Sequence, residues 1–254
     1  MADDQSDLGE MARNGMLSRL IAQTGRTAFT KWVATTQAVR TALIRAGVPS
    51  TRIVVIPNGV ELMPRDTPVR NGPVRRFLYL GRISSNIERD VPGLIKAFDH
   101  IAGSRSDVEL AIVGDGDLRA GAERLAAQCH HASRIKMPGT GVAAEWLAWA
   151  DAFVLPSKRE GLSNALLEAM SHGLPCVATD IPPNREVLAD GACGLLVPVN
   201  DTPALEQALA RLADEAQLAE DLGRRALEHV HLHYGLPSVS SRYQALYAEL
   251  TQCT

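Results

Sequence analysis

Two glutamates, Glu160 and Glu168, frame the stretch Glu160-Gly161-Leu162-Ser163-Asn164-Ala165-Leu166-Leu167-Glu168. The first follows an apolar run of strand character, Phe153-Val154-Leu155-Pro156-Ser157. A glycine and a small polar pair come next, and a helical pattern begins at Asn164. This order gathers an acid, free backbone N–H groups and the positive end of a helix dipole around one point. Amides at a helix start hold phosphate oxygens, and carboxylates accept hydrogen bonds from sugar hydroxyls. The chemistry that fits is the binding of a phosphorylated, hydroxyl-rich ligand such as a nucleotide sugar. Each acid also has a plainer reading: Glu160 as a loop acid paired with Lys158 or Arg159, and Glu168 as a solvent-facing helix acid.

Other groups could join them. Arg82 follows a strand and a glycine, where a guanidinium can clamp a diphosphate bidentately and neutralise charge on a departing group; it could equally be a surface arginine paired with an acid. Arg89, in the loop 84–90, is either a second phosphate contact or a solvated loop charge. Gly114-Asp115-Gly116-Asp117-Leu118 is a glycine turn between strand and helix. It is not a complete G-x-G-x-x-G, because position 119 is Arg, so a nicotinamide-binding reading is disfavoured. Its modest implications are close approach of backbone to a ligand and Asp117 as the cap of the next helix. The four cysteines, Cys129, Cys176, Cys193 and Cys253, lack C-x-x-C spacing and read as reduced thiols, not as a zinc site or disulfide frame. His229, His231 and His233 alternate within a predicted helix and are expected at the surface, sharing no face at i, i+2. No Ser/His/Asp arrangement or Walker A loop is visible.

The elements that must position these groups come in alternation. Strands are expected at 77–80, 108–113, 135–137, 153–155, 176–178 and 194–197. Helices are expected at 92–101, from Asp117 to about 128, and at 145–150, 164–172 and 184–188. Apolar strands alternating with helices imply right-handed crossovers and a parallel sheet of about six strands covered on both faces. Ligands then bind beyond the carboxyl ends of the strands, where Gly81-Arg82, Gly114-Asp115-Gly116, Pro138-Gly139 and 156–160 all fall. Further out, the spacing predicts helices over 16–34 and 36–46, a strand at 53–56, and three carboxy-terminal helices over 203–214, 215–234 and 237–251.

Bulk properties set limits. The chain has 254 residues, 46% of them hydrophobic, enough for a substantial core. A net charge of −3 and an aromatic content of 4% argue against nucleic acid as a partner. No apolar run reaches the roughly 20 residues that span a bilayer, and the acidic start is unlike a secretory signal. The expected location is cytoplasmic. The expected division is a disordered start at 1–15, an amino-terminal unit at 16–60, a Pro/Arg/Asp-rich linker at 61–75, a ligand-binding α/β domain at 76–200 and helices at 201–254.

From Ile53 onward the chain resembles the carboxy-terminal half of a family 4 glycosyltransferase of the GT-B fold. The resemblance rests on an ordered series: Ile56-Pro57-Asn58-Gly59-Val60, Tyr79-Leu80-Gly81-Arg82, Ile112-Val113-Gly114-Asp115-Gly116, Ala150 through Ser157, Glu160 through Met170, Gly173 through Asp180, and Gly194-Leu195-Leu196-Val197. It implies a Rossmann-like doubly wound sheet and transfer of a sugar from a nucleotide-diphosphate donor, with retention, to a saccharide or lipid-linked acceptor, with no metal or other cofactor at the site. Polysaccharide biosynthesis and the inner face of the membrane are then among the expected settings. By the same resemblance Arg82 would bind the diphosphate and Arg89 would stand where the family has a lysine. Glu160 would hold the sugar and help stabilise the oxocarbenium-like state. Glu168 would hold the ribose. Gly161, Leu162, Ser163 and Asn164 would serve the diphosphate, with Leu162 to Asn164 offering backbone amides, and Gly114 and Gly139 would line the nucleoside side. The resemblance also implies that most of the family's first domain is missing, with 16–60 as its remnant of helices and one strand. A separate chain could supply that domain; otherwise the chain is inactive or weakly active alone and exposes apolar surface at its amino-terminal helices. The alternatives are a donor-binding scaffold without activity and a nucleotide-sugar epimerase of the same fold. Sugar, base and acceptor stay open.

Overall fold

The computed structural model describes residues 29–64 and 72–252. Its centre is a six-stranded parallel sheet built from β3 (Arg76–Leu80), β4 (Glu109–Val113), β5 (Ile135–Gly139), β6 (Ala152–Leu155), β7 (Cys176–Thr179) and β8 (Leu195–Val197). The spatial order is β5-β4-β3-β6-β7-β8. The chain therefore steps outward from β3 in one direction, returns to β3's other side at β6, and steps outward again. The point of reversal lies between β3 and β6, where Phe77 pairs with Ala152 and Leu78 with Phe153. Crevices for ligands open at such points, because adjacent connections leave the sheet on opposite faces.

Apolar side chains on both faces explain why these strands read as continuous hydrophobic runs. Phe77, Tyr79, Leu110, Ile112 and Val154 pack on one side with α2 (Val91–Ser104) and α7 (Thr202–Asp214). Leu78, Val113, Phe153 and Leu155 pack on the other with α5 (Asn164–Ser171) and α8 (Ala216–His233). Helix starts are fixed by side chains that accept otherwise unpaired amides. Asp90 accepts from the Gly93 amide at 3.0 Å and Asp201 from the Ala204 amide at 2.9 Å. The intervening helices are α3 (Arg119–Ala127), α4 (Ala143–Trp149) and α6 (Pro182–Val187).

Before this sheet stands a smaller unit: β1 (Trp32–Ala34), α1 (Gln37–Arg45) and β2 (Ile53–Val55). β1 and β2 pair in parallel, with Val33 opposite Val54. The last helix, α9 (Leu236–Gln252), returns to it: Val239 and Leu246 bury against Ile56.

Several expectations change. The helix predicted over 16–34 lies mostly outside the described residues, and its end, Trp32–Ala34, is a strand; pairing with β2 overrides the apparent helical spacing of Phe29 and Val33. The amino-terminal unit thus has two strands, not one. Asp117 does not cap α3, whose flanking residue is Leu118; its carboxylate instead accepts from the Ser85 amide at 3.0 Å and the Ser85 hydroxyl at 2.5 Å. His229 and His233 do meet, at the i, i+4 spacing, with ring centroids 4.6 Å apart. The Nε2 atoms of His229 and His231 are buried without a partner among the described residues. No helix among the described residues is long and apolar enough to cross a membrane.

Candidate functional site

The loops after β3, β4 and β5 lock together through backbone. The Gly81 amide donates to Val113 O at 2.9 Å, the Gly114 amide to Gly139 O at 2.8 Å, and the Ile83 amide to Asp115 O at 2.9 Å. Glycine is required where these loops touch. At Gly114 (φ +151°) an added Cβ would stand 1.8 Å from Gly81 O, a clash with backbone that no rotamer relieves. Gly81, Gly114 and Gly139 therefore lie side by side at the carboxyl edge of the sheet, where backbone can approach a ligand closely.

Across the reversal point, the segment after β6 is tied to the loop after β3. The Asp90 amide donates to Pro156 O at 2.7 Å and the Lys158 amide to Glu88 O at 2.6 Å. This brings Arg89 to Glu160. Arg89 Nε and Nη2 donate to Glu160 Oε1 at 3.1 and 2.9 Å, and the two side chains are each only 12% exposed. The Ser157 hydroxyl donates to the same Oε1 at 2.7 Å. Neither Lys158 nor Arg159 is the partner of Glu160; Arg159 pairs with Glu88 at 3.5 Å. The other end of Arg89 reaches Tyr79, Nη1 donating to the phenol oxygen at 3.4 Å, and the Tyr79 hydroxyl donates to Arg82 O at 2.7 Å. Burial works against the charge on Arg89, but Tyr79 and Glu160 outweigh it and raise its pKa. Burial likewise raises the pKa of Tyr79. Behind Ser157 the polar chain continues: the Thr179 hydroxyl donates to Ser157 O, and Asn184 Nδ2 to Thr179 O at 2.9 Å. Ser157, Thr179 and Asn184 are all buried, so the relay is a built part of the core.

The Arg82 side chain is exposed and has no ion pair among the described residues. Gly161 is exposed too, with open space where a Cβ would be. Ser163 caps α5, accepting from the Leu166 amide at 3.3 Å. Among the described residues no acceptor takes the amides of Gly161, Leu162 or Ser163. Asn164 faces the amino-terminal unit, its Oδ1 accepting from Asn58 Nδ2 at 2.8 Å. Glu168, on α5, is half-buried; desolvation raises its pKa and the nearby His172 pulls it back. No hydrogen bond or ion pair joins Glu168 to Glu160 or Arg82 among the described residues; shared placement on the β6–α5 segment relates the two acids. A separate cavity of about 160 Å³, lined by Arg76, Asp151 and Pro175 among others, lies at the opposite edge of the sheet, away from all these groups.

Tyr79, Ser157, Thr179 and Asn184 were not singled out in the sequence. The one available signal was Tyr79 itself, a hydroxyl inside the strand Phe77-Leu78-Tyr79-Leu80 that must find a partner when buried. What these residues offer chemically is a free guanidinium after β3, and unpaired amides at a helix start and an oriented carboxylate after the neighbouring strand β6.

The family model for glycosyl transferases group 1 matches residues 74–215 of this geometry. The chain belongs to that family. Among curated relatives, the group 1 chain is 32% identical over 199 residues to a phosphatidyl-myo-inositol mannosyltransferase of Mycolicibacterium smegmatis, covering 76% of this chain and 51% of that protein. It is 33% identical over 162 residues to the N-acetyl-alpha-D-glucosaminyl L-malate synthase of Bacillus anthracis, covering 63% and 42%. It thus spans about half the length of the curated relatives it matches. Among solved structures, Anabaena HepE in complex with UDP-glucose superposes with a TM-score of 0.80 at 17% identity, over 91% of this chain and 67% of that one. S. aureus TarM, solved with UDP among its ligands, gives 0.80 at 18% identity, over 90% and 46%. These likenesses confirm the doubly wound GT-B-type α/β fold.

Proposed function

We propose that this chain binds a nucleotide-diphosphate sugar from one side and serves transfer of its sugar, with retention, to a saccharide or lipid-linked acceptor. What supports this reading is placement: a free arginine follows β3, an oriented carboxylate and unpaired amides follow β6, and these two strands are neighbours where the strand order reverses. Arg82 faces the diphosphate and neutralises the charge that grows on it as the bond to the sugar's anomeric carbon breaks. The amides of Gly161, Leu162 and Ser163 add fixed partial charges there, with Asn164 at the first turn of the helix. Glu160 accepts hydrogen bonds from sugar hydroxyls, and its negative charge favours the cationic, oxocarbenium-like centre between bond breaking and bond making. Glu168 accepts from the ribose hydroxyls. Gly114 and Gly139 line the nucleoside. The solved relative HepE holds UDP-glucose, which supports a nucleotide-sugar donor. These groups contact the donor, and none of them positions an acceptor.

Isothermal calorimetry with UDP and with GDP tests the reading. One of the two is expected to bind the folded chain, and Arg82→Gln is expected to weaken it by about tenfold or more, the worth of a charge-assisted bidentate contact. Absence of binding by both at millimolar ligand overturns the proposal.

A further inference from the structure

The carboxylate of Glu160 is used unequally. Oε1 takes three donors, Arg89 Nε at 3.1 Å, Arg89 Nη2 at 2.9 Å and Ser157 Oγ at 2.7 Å. Oε2 takes none among the described residues. Arg89, in turn, is fixed at both ends of its guanidinium, by Glu160 and by the buried Tyr79, whose ring lies 5.9 Å from Arg89 Cζ. The space for this fork is made by Gly81, where a Cβ would stand 1.9 Å from Arg89 Nη1. Ser157 is fixed from behind, its backbone carbonyl accepting from the Thr179 hydroxyl. A charged group with its donors committed on two sides and 12% exposure is poorly placed to turn toward a diphosphate. Leaving Glu160 would strand a buried carboxylate without its counter-charge, which is costly.

We infer that Arg89 and Ser157 are positioning residues that fix Glu160 through Oε1 and reserve Oε2 as the acceptor for the transferred sugar. This rests on the donor-binding reading above and departs from the expectation that Arg89 contacts the diphosphate. The diphosphate is then met by Arg82 and the amides before α5. The sugar is met by an oxygen whose direction is set by a buried relay running from Asn184 through Thr179 and Ser157 on one side and from Tyr79 through Arg89 on the other. Two fixed points on one carboxylate oxygen leave the second with little freedom, the kind of preorganisation that makes a hydrogen bond to a hydroxyl directional.

The two roles separate when a nucleoside diphosphate is compared with its sugar derivative. Calorimetry on the full chain would use UDP against UDP-glucose and GDP against GDP-mannose. The wild type is expected to bind at least one sugar derivative more tightly than the bare diphosphate. In Arg89→Gln the bare diphosphate is expected to bind within about threefold of wild type, while the extra affinity from the sugar disappears; a lost charge-assisted contact is worth about tenfold or more. Ser157→Ala, a gentler change, is expected to reduce the sugar increment in the same direction. In a Glu160→Gln background, Arg89→Gln should cause no further loss of that increment, since its effect passes through Glu160. Arg89→Lys should restore part of it. A tenfold or greater loss of bare UDP or GDP in Arg89→Gln, with Ser157→Ala leaving the sugar increment intact, overturns the assignment and makes Arg89 a phosphate ligand. So does a wild type that binds the sugar derivatives no better than the diphosphates. Failure of the wild type to bind either diphosphate, or indifference to Arg82→Gln, removes the donor-binding reading itself. Because unfolding could mimic a loss, each variant's thermal transition would be recorded; if Arg89→Gln does not fold, Ser157→Ala alone decides the question.

Discussion

Glu168 sits half-buried on α5, and desolvation lifts its pKa above the ordinary carboxylate value despite the pull of His172. An acid whose folded pKa is raised binds its proton more tightly when folded than when unfolded. Its contribution to stability is therefore fully present below the unfolded pKa and is lost as pH rises through the folded one. At neutral pH this carboxylate is a cost to the fold, retained under the present reading because an anion accepts from ribose hydroxyls. Glu168→Gln removes that cost. It is expected to raise the melting temperature slightly at pH 7, to change it little near pH 4, and to weaken UDP or GDP by about tenfold at pH 7, the range of a lost charged hydrogen bond. Thermal melts at the two pH values together with calorimetry check the pair of outcomes. Unchanged affinity with raised stability would mark Glu168 as a structural acid.

At the scale of elements, the same reversal of strand order that opens the crevice has to be held shut at the other end. Asp151, just before β6, does this for β3. Its Oδ2 accepts from the Arg75 amide at 3.2 Å, the Arg76 amide at 2.9 Å and Arg76 Nε at 3.1 Å, while Oδ1 accepts from Arg76 Nη2 at 2.7 Å. With the Asp151 side chain 13% exposed, its removal leaves two strand-edge amides short of an acceptor. Asp151→Ala is expected to cost about 2 kcal/mol in urea unfolding, with nucleotide affinity within about twofold of wild type, since the change lies at the far edge of the sheet. The strands and helices of the sheet were legible because the inner strands β3, β4, β6 and β7 are apolar on both faces and several helix starts carry their own punctuation, Asp90, Ser163 and Asp201 as caps and Pro92, Pro182 and Pro203 in first turns; α3 and α4 have neither. Arg82, Glu160 and the amides before α5 were legible for the same reason, since all follow strand ends. The partners of Glu160 were not. Lys158 and Arg159 are nearer in sequence, but Arg89 reaches it through a loop-to-loop pairing, Arg89 opposite Ser157, that no local spacing encodes. Asp117 follows the same pattern: an Asp before a helix is a cap by default, but its carboxylate accepts from the Ser85 amide and hydroxyl across the loop instead.

Across the whole molecule, the β1–β2 unit meets α9. A two-stranded parallel sheet is too small to be stable by itself; on one side, Ala34 and Ile53 of β1 and β2 bury with Val48 against Val39 and Leu43 of α1. α9 covers the other side with Val239, Tyr243, Leu246 and Leu250, and Lys31 pairs with Glu249 at 3.0 Å. The path to this contact crosses itself: the Val60 amide donates to Tyr234 O at 2.8 Å and the Leu236 amide to Val60 O at 3.0 Å. The amino-terminal unit also touches the crevice, with the Thr36 hydroxyl donating to Gly161 O at 3.4 Å and the Gln37 amide to Glu186 Oε2 at 2.8 Å. Among the described residues of this unit, Phe29, Val33 and Ile44 are 53%, 38% and 38% exposed. Through the β1–β2 unit, α9 is thereby linked to the segment before α5, although it touches none of the proposed ligand groups. Leu246, 6% exposed, is the centre of that link. Leu246→Ala removes buried methyl groups and leaves a cavity, at a cost of about 2–4 kcal/mol carried by the β1–β2 unit. Hydrogen exchange is expected to speed up at Val54, Val55 and Ile56 and at Gln37, whose amide donates to Glu186 Oε2 at 2.8 Å, while amides of β3, β4 and β6 keep wild-type protection. Uniform acceleration across both sheets would show instead that the two units unfold as one.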